Sequence, residues 1–190
     1  MKKCKIHVVL KFAELEMDRS GHLKEGAEKG VSNRPDIVHR CLLTLLDSPL
    51  NKNGGLKIFV HTKRNVLIEI NSEARLPRTF KRFSGLFAQL LSKMKIKAEG
   101  KTLFRLVKNP LEKHLPEGCL MVGLSGRGER VQIGAYAAQN RGPVCFFVGA
   151  MAHGEDEFET QNLISISSHG LTASTVCGRI CYAYEDALGL

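Results

Sequence analysis

The apolar pattern is most continuous between Pro143 and Gly154, where an uncharged run passes into a turn that contains glycine. Val144 to Val148 lack the polar alternation of a half-exposed strand, so we expect both faces of this strand to be covered, as in a parallel sheet. In open sheets of this kind, ligands bind beyond the carboxyl ends of the strands. The pattern therefore predicts a core strand that ends either in a ligand loop, Gly149 to Gly154, or in a plain turn.

Other apolar runs predict further strands around this one. They are Ile6 to Leu10, Leu56 to Thr62, Val66 to Ile70, Lys101 to Val107, Cys119 to Leu124 and Leu163 to Ser167. The second and third of these form a predicted hairpin. Its tip and rim carry Lys57, His61, Lys63 and Arg64, which either reach phosphates or are ordinary solvated charges. Two more loops follow predicted strands, at Gly123 to Gly126 and at Ser165 to Thr172. The polar segment Glu14 to Asn33 has no clear period and is expected to be irregular.

Three segments have the spacing of amphipathic helices. The first is predicted to begin at Pro35 and to end before Ser48-Pro49, which stops the element. The second is predicted to begin at Pro77 and carries an apolar stripe from Phe80 to Met94. Thr172 is a suitable cap for the third, at the carboxyl terminus.

Asp47 falls at the carboxyl end of the first predicted helix. The helix dipole is negative there, so we expect it to raise the pKa of this carboxyl. A residue that opposes its local preference is either functional or an exposed aspartate that caps the next turn.

Arginines are concentrated around the start of the second predicted helix. Arg78 and Arg82 are one helical turn apart, and Arg75 lies just before the helix, where its guanidinium can approach the same anion as free backbone amides. Because each guanidinium offers a rigid, planar fork of donors, this pattern is typical of a phosphate clamp.

Composition narrows the class of partner. The 190 residues, 43% of them hydrophobic, suit one domain with a real core. A net charge of +9 favours a polyanion, with nucleic acid ahead of an anionic membrane. The longest uncharged stretches are far shorter than the roughly 20 residues of a membrane span. Lys11 and Glu14 interrupt the first apolar segment, so we expect no secretory signal and an intracellular protein.

The cysteines and glycines exclude several site types. The six cysteines form no Cys-x-x-Cys pair and are predicted to be reduced, buried thiols. Cys177 and Cys181 share a helical face, but no second pair or suitably spaced histidine completes four ligands, so we expect no metal. The glycines of Gly123 to Gly128 fit neither the dinucleotide-binding fingerprint nor a phosphate loop, and a flexible turn is the alternative there.

Six motifs, in this order along the chain, carry a family resemblance. They are Arg34 to His39, Leu45 to Asn51, Asn65 to Asn71, Arg75 to Phe80, Phe147 to Ala150 with His153-Gly154, and Ile164 to Ser167. The chain from Arg34 to its carboxyl terminus resembles the Nep/Emg family of ribosome-biogenesis enzymes. These are SPOUT-class methyltransferases that act on N1 of a pseudouridine in small-subunit ribosomal RNA.

The resemblance implies a fold, a cofactor and partners. The fold is α/β, a SPOUT methyltransferase fold with a carboxyl-terminal trefoil knot and an inserted β-hairpin extension. Residues 1–190 then form one domain, with the hairpin at about residues 51–71 and the knotted cofactor-binding region at about residues 119–190. The implied cofactor is S-adenosylmethionine, and the implied partners are a ribosomal RNA hairpin, a second copy of the chain and ribosome assembly factors. The motif Asp47 to Asn51 looks eukaryotic, which implies the nucleus and nucleolus, or the cytoplasm if the source lacks a nucleus.

The resemblance also assigns site residues. Asp47 matches the family's aspartate near the target base and is the candidate acceptor of the N1 proton. Arg34, Arg75, Arg78 and Arg82 match its RNA-contacting arginines, while Asp36 is expected to fix the helix start beside Arg34. The cofactor loops supply Leu124, Ser125, Val148, Gly149, Ala150, His153, Gly154, Ile166, Ser167, Leu171 and Thr172.

Two departures from the family pattern affect these loops. Gly123-Leu124-Ser125 replaces a Gly-Thr-Ser turn, and Ser168-His169-Gly170-Leu171 replaces Asn-Tyr-Pro-Leu. Glycine in place of proline is expected to loosen the third cofactor loop. Two alternatives to the pseudouridine enzyme stay open: an RNA-binding assembly factor without catalysis, and a related methyltransferase with another RNA substrate, which the Arg75 to Phe80 motif disfavours.

Overall fold

The computed structural model of the chain describes residues 6–28, 31–154 and 157–190. The strands are β1 Ile6–Ala13, β2 Gly26–Glu28, β3 Val31–Asn33, β4 Leu56–Thr62, β5 Leu67–Ile70, β6 Lys95–Ala98, β7 Lys101–Val107, β8 Leu120–Arg130, β9 Val144–Gly149 and β10 Leu163–Ser165. The helices are α1 Pro35–Asp47, α2 Pro49–Lys52, α3 Phe80–Lys93, α4 Ile133–Gln139 and α5 Ala173–Leu188, with a 3-10 turn at Leu111–His114.

Eight of the strands form one mixed sheet in the order β10-β8-β9-β1-β4-β5-β7-β6. The first five strands in that order pair in parallel, and β5, β7 and β6 continue the sheet as antiparallel neighbours. Strand β9 lies between β8 and β1, and Val144 to Val148 are all buried. The prediction of a parallel strand covered on both faces is therefore confirmed.

Helices cover one face of the sheet and loops cover the other. Val8, Val60 and Phe146 pack with residues of α1, α3 and α5 in the larger core. Val9, Phe59 and Phe147 point the opposite way and pack with Leu111 of the 3-10 turn and with Phe158. Burying both faces explains why β1 and β9 show almost no polar alternation.

The second long helix begins three residues later than the sequence predicted. Its first residue is Phe80, and Thr79 precedes it in an extended conformation. The Pro77 carbonyl instead accepts a hydrogen bond from His39 Nε2 at 2.7 Å. Arg75 and Arg78 therefore lie in the segment before α3, and of the three clustered arginines Arg82 alone is in the helix.

The predicted loop at Gly123 to Gly126 is part of a strand, because β8 continues to Arg130. Its glycines allow a close approach: a Cβ at Gly128 would lie 2.5 Å from the Ile164 backbone nitrogen of β10. Strand β10 in turn ends at Ser165, so that Ile166 and Ser167 begin the loop that follows.

Short elements escaped the sequence patterns. Segment 14–33 contains the antiparallel pair β2 and β3 and a bridge between Met17 and Leu23, where an irregular region was predicted. One-turn α2, α4 and the edge strand β6 were also unpredicted. The hairpin prediction corresponds to β4 and β5, which belong to the main sheet because β4 pairs with β1.

Most of the thiols lie in the core. Cys41, Cys145, Cys177 and Cys181 are buried and Cys119 is partly buried, while Cys4 lies outside the described residues. Burial raises the pKa of the Cys181 thiol to about 11, which keeps it protonated near neutral pH. Within residues 6–28, 31–154 and 157–190, no group of three histidine, cysteine or acidic side chains is placed to hold a metal ion. None of the described helices combines the length and apolarity needed to cross a membrane.

Candidate functional site

A cavity of about 540 Å³ lies beside the middle of β8 and the carboxyl ends of β9 and β10, and α1 and the start of α5 close its sides. Two families of side chains line it. Apolar groups come from Leu124, Val148, Ile164, Ile166 and Leu171, and hydroxyl groups from Ser125, Ser165, Ser167, Thr172 and Ser174. Its volume is that of a typical small-molecule site. The cavity can enclose a flat apolar ring and offer hydroxyl and backbone groups to polar substituents.

Nine of the eleven residues predicted for the cofactor loops line this cavity. They are Leu124, Ser125, Val148, Gly149, His153, Ile166, Ser167, Leu171 and Thr172. Ala150 and Gly154 are not among the lining residues. Ala150 is fully buried, and its backbone N–H donates to the Lys11 carbonyl at 2.8 Å, which anchors the loop to β1.

Two glycines leave room inside the cavity. A Cβ built at Gly126 or at Gly170 would meet no protein atom within 4 Å, although both residues line the cavity. Gly170 is the residue that the family pattern predicted as proline, and its φ is not in the left-handed region. The third loop is held at both ends, since the Ser167 hydroxyl accepts from the His169 N–H and the Thr172 hydroxyl caps α5.

The start of α1 adds a charged wall that the cofactor-loop prediction did not include. Arg34 donates through Nε and Nη2 to the two carboxylate oxygens of Asp36, at 2.7 and 2.8 Å. This fork lowers the pKa of Asp36, with burial opposing it, and raises that of Arg34. Asp36, Ile37 and Arg40 all line the cavity. Arg40 lies three and four positions after the other two, and this spacing was the signal that places it on their face.

Asp47 lies at the carboxyl end of α1, as predicted, but its environment differs from the prediction. Its carboxylate is 75% exposed and accepts a hydrogen bond from Lys52 Nζ at 2.7 Å. That bond, and more weakly the charge of Arg78, lowers the pKa of Asp47. The prediction of a raised pKa is therefore wrong: water screens the helix dipole at an exposed end, and a lysine in direct contact outweighs it.

Asp47 is also absent from the cavity lining. Arg40 is the cavity residue nearest to it along α1, and the separation of seven positions spans about 10 Å of helix. Within one chain the candidate proton acceptor and the candidate cofactor cavity therefore lie at different ends of one helix.

The clustered arginines are exposed. Within the described residues, Arg75, Arg78 and Arg82 form no ion pair, so their guanidinium groups are available to an anion. His39 of α1 fixes the segment that carries Arg75 and Arg78. Its ring donates a hydrogen bond to the Pro77 carbonyl and stacks on Phe83, with ring centroids 4.5 Å apart.

Asn51 joins the end of α1 to the same arginine segment. Its side-chain Nδ2 donates to the carbonyls of Leu46, at 3.1 Å, and Ser72, at 2.9 Å. The Ser48 hydroxyl accepts the Asn51 N–H and caps α2. One buried amide thus bonds the backbone of Leu46, which is next to Asp47, and of Ser72, which is three residues before Arg75.

The hairpin tip does not present free cations. Lys63 Nζ lies 2.5 Å from Glu14 Oε1, and Arg64 forms two bonds of 2.8 Å to Glu16. Both side chains remain exposed, so the predicted alternative of solvated charges, here with ion-pair partners, fits the structure better than cations left free for phosphates.

The fold and the cavity define an α/β protein with a ligand-sized site at the carboxyl ends of parallel strands. Its sequence matches the family described as EMG1/NEP1 methyltransferase over residues 8–185, and the chain belongs to this family. The family predicted from the motifs is thereby confirmed.

Relatives from distant organisms support the assignment. Ribosomal RNA small subunit methyltransferase NEP1 of Candida glabrata is 47% identical over 176 residues, which are 90% of this chain and 76% of that protein. The Homo sapiens protein of the same name is 42% identical, over 88% of this chain and 70% of its own length. A crystal structure of Archaeoglobus fulgidus Nep1 bound to S-adenosylhomocysteine matches with a TM-score of 0.84 and 26% identity, and covers 98% of this chain and 100% of that one.

Proposed function

We propose that this protein uses S-adenosylmethionine to methylate N1 of a pseudouridine in small-subunit ribosomal RNA. The observation that carries the proposal is the cavity beside the middle of β8 and the ends of β9 and β10, which lies in the region where the resemblance implied the cofactor site. Relatives named as ribosomal RNA small subunit methyltransferases, and a structural match bound to S-adenosylhomocysteine, support the substrate and the cofactor.

The residues of the cavity fit this cofactor. Leu124, Val148 and Ile166 provide apolar walls for an adenine ring, and Ser125 and Thr172 offer hydroxyl groups for the ribose. Arg40 adds a positive charge to the cavity lining, which suits the carboxylate group of the cofactor. When bound, the cofactor supplies an electrophilic methyl group.

Asp47 is proposed to handle the proton. N1 of pseudouridine carries a proton that leaves as the N1–methyl bond forms, and a carboxylate in hydrogen-bond reach orients this N–H and accepts the proton. The low pKa of Asp47 keeps the carboxylate ionised at neutral pH, so it is ready to accept. Asp47 is a weaker base than the sequence predicted. We therefore attribute more of its contribution to the rate of methyl transfer to its orientation of the N1–H group.

A homodimer would bring the two parts of the site together. Because Asp47 lies about 10 Å along α1 from Arg40, we propose that Asp47 of the partner subunit completes each cavity. Exposed apolar side chains on α5 and at the carboxyl terminus, Tyr182, Leu188 and Leu190, support an interface near this helix.

Arg34, Arg75, Arg78 and Arg82 are proposed to bind RNA phosphates. Single alanine variants should weaken binding of a target hairpin, and the triple variant of Arg75, Arg78 and Arg82 should also reduce the salt dependence of log K by about 2 to 3, since each phosphate contact contributes about 0.7 to 0.9. Binding titrations at several salt concentrations measure both quantities. Lys113→Ala is the control, because Lys113 is an exposed cation on the 3-10 turn at the other face of the sheet.

The finer features of the fold belong to this proposal. Passage of the chain from β9 to β10 on the outer side of β8, followed by the return of α5 against α1 and α4, supports a trefoil knot within residues 119–190. Strands β4 and β5, with β7 and β6 beyond them, are the proposed hairpin extension of the SPOUT core. The names of the eukaryotic relatives support a role in the processing of ribosomal RNA. The nucleolus is the location that we propose for it.

One assay separates this function from its alternative. The protein is incubated with labelled S-adenosylmethionine and with paired hairpin RNAs that carry uridine or pseudouridine at the target position. Transfer to the pseudouridine RNA alone is the expected result. Tight RNA binding and cofactor binding without transfer to either RNA would instead favour a non-catalytic assembly factor, which Asp47 at the rim of the arginine cluster disfavours.

A further inference from the structure

Glu14 is a buried carboxylate that contacts the start of α1. It lies in the loop after β1, its side chain is 5% exposed, and its Oε2 accepts the backbone N–H of Arg34 at 3.1 Å. Its other oxygen, Oε1, lies 2.5 Å from Lys63 Nζ at the tip of the β4–β5 hairpin. Both carboxylate oxygens are therefore engaged, one by the backbone of a candidate RNA-binding residue.

Arg34 depends on contacts from outside α1. It is the residue before the first turn, and its side chain makes no capping hydrogen bond. Asp36 holds its guanidinium by a two-pronged bond, and Glu14 holds its backbone. Because the backbone position sets where a long side chain begins, both carboxylates determine where the Arg34 guanidinium can reach.

Lys63 makes the position of Glu14 possible. A carboxylate removed from water is costly unless it is paired and hydrogen-bonded. Lys63 supplies the opposite charge, and its own backbone N–H donates to the Ala13 carbonyl at 3.1 Å, which fixes the hairpin tip beside Glu14. Glu14 thereby links the hairpin tip to the start of α1.

A second ion pair next to it has similar chemistry and, among the described residues, no hydrogen bond to α1. Arg64 of the same hairpin tip forms two bonds of 2.8 Å to Glu16, two residues after Glu14. Glu16 also lies 3.5 Å from Lys24, and it is more exposed than Glu14. The pair Glu16–Arg64 is therefore a matched control for the pair Glu14–Lys63.

We propose that Glu14 is a positioning residue for RNA binding, which acts through the backbone of Arg34 and is held in place by Lys63. This inference rests on the proposed function, in which Arg34 contacts RNA. It gives a role to the segment between β1 and α1, and it makes the β4–β5 turn a structural support of the RNA site rather than a phosphate contact.

The test is a double-mutant cycle on RNA affinity. Glu14→Gln and Glu16→Gln are each made in the wild-type chain and in Arg34→Ala. Kd for the pseudouridine hairpin is then measured at one fixed salt concentration, at a temperature where every variant is folded. Glu14→Gln should weaken binding about tenfold in the wild-type chain and by less than about twofold in Arg34→Ala, because contacting residues are non-additive. Glu16→Gln should leave both affinities within about twofold.

A purely structural role predicts a different pattern. If Glu14→Gln weakened binding by the same factor with and without Arg34, or if Glu16→Gln weakened it as much, the inference would be overturned. If Arg34→Ala itself left the affinity unchanged, the RNA role of Arg34 would fail and the inference with it, whereas the methyl-transfer assay would still report on the proposed function.

Lys63 variants cover the case in which Glu14→Gln does not fold. Lys63→Arg keeps the charge and should retain wild-type RNA affinity, while Lys63→Met leaves the buried carboxylate unpaired and should weaken binding in the wild-type chain but not in Arg34→Ala. Equal affinities of Lys63→Met and the wild type would contradict the role given to Lys63.

Discussion

Replacing Asp47 by asparagine is expected to lower the rate of methyl transfer by about 10²- to 10⁴-fold, the range that a positioned acid or base contributes. Asparagine keeps the shape of the side chain but cannot accept the N1 proton. RNA affinity should change little, because Asp47 is not one of the arginines proposed to bind phosphates. Single-turnover rates with saturating RNA, together with binding titrations, separate the two effects, and unchanged turnover would reject the role.

The pH dependence gives an independent check through Lys52. The hydrogen bond from Lys52 is the largest cause of the lowered pKa of Asp47, so the ionised base should persist well below neutral pH and the acid limb of the rate profile should lie below the ordinary aspartate range. Lys52→Met removes both this hydrogen bond and the charge, raises the pKa of Asp47 and should move the acid limb to higher pH. An acid limb that stayed in place would mean that another group accepts the proton.

Mixed dimers test whether Asp47 acts across an interface. Two separate variants are mixed in equal amounts, Asp47→Asn and Gly126→Leu. In the second, the leucine side chain would fill cavity space that no protein atom occupies. If the partner supplies the aspartate, mixing the two inactive variants restores roughly a quarter of the wild-type activity, since half of the dimers are mixed and each has one complete site. If Asp47 serves its own chain, the mixed sample stays inactive.

The strands that carry the cavity were predictable because their signal is local and strong. Val144 to Val148 form a run without polar residues, and the sheet buries it on both faces as such a run requires. The glycines after Val122 were a weaker signal. Glycine is found both in turns and where two strands approach closely. Here the glycines allow a close approach, because β8 pairs with β10, which lies 35 or more residues further along the chain.

The electrostatics of the site depended on structure that the pattern did not contain. Lys52 reaches Asp47 because the single turn α2 folds the chain back after Pro49, and a four-residue helix has no period to detect. The charged wall of Arg34, Asp36 and Arg40 likewise arises from the packing of α1 beside the ends of the strands. Glu14 lies in a segment without any period, and its contact with Arg34 joins residues 20 positions apart.

Replacing Gly128 by alanine is expected to disrupt the cavity from behind. The new Cβ would lie 2.5 Å from Ile164 N and the Leu163 carbonyl carbon, and 2.6 Å from the Leu163 oxygen. All three are backbone atoms of β10, which pairs with β8. Backbone atoms cannot rotate away as a flexible side chain can, so the two strands must separate. We expect the free energy of unfolding to fall by about 1–3 kcal/mol or more, as overpacking of a core does.

The same separation moves two cavity walls, Ser125 to Gly126 on β8 and Ile164 to Ser167 at β10, and should weaken S-adenosylhomocysteine binding at least about tenfold, which corresponds to 1.4 kcal/mol. Calorimetric titration and thermal denaturation measure the two losses. Gly142→Ala is the stability control, since its Cβ would meet no atom within 4 Å and its φ is ordinary. Wild-type stability and ligand affinity in Gly128→Ala would show that β8 and β10 do not approach this closely. The close pairing of these strands would then not be what shapes the cavity.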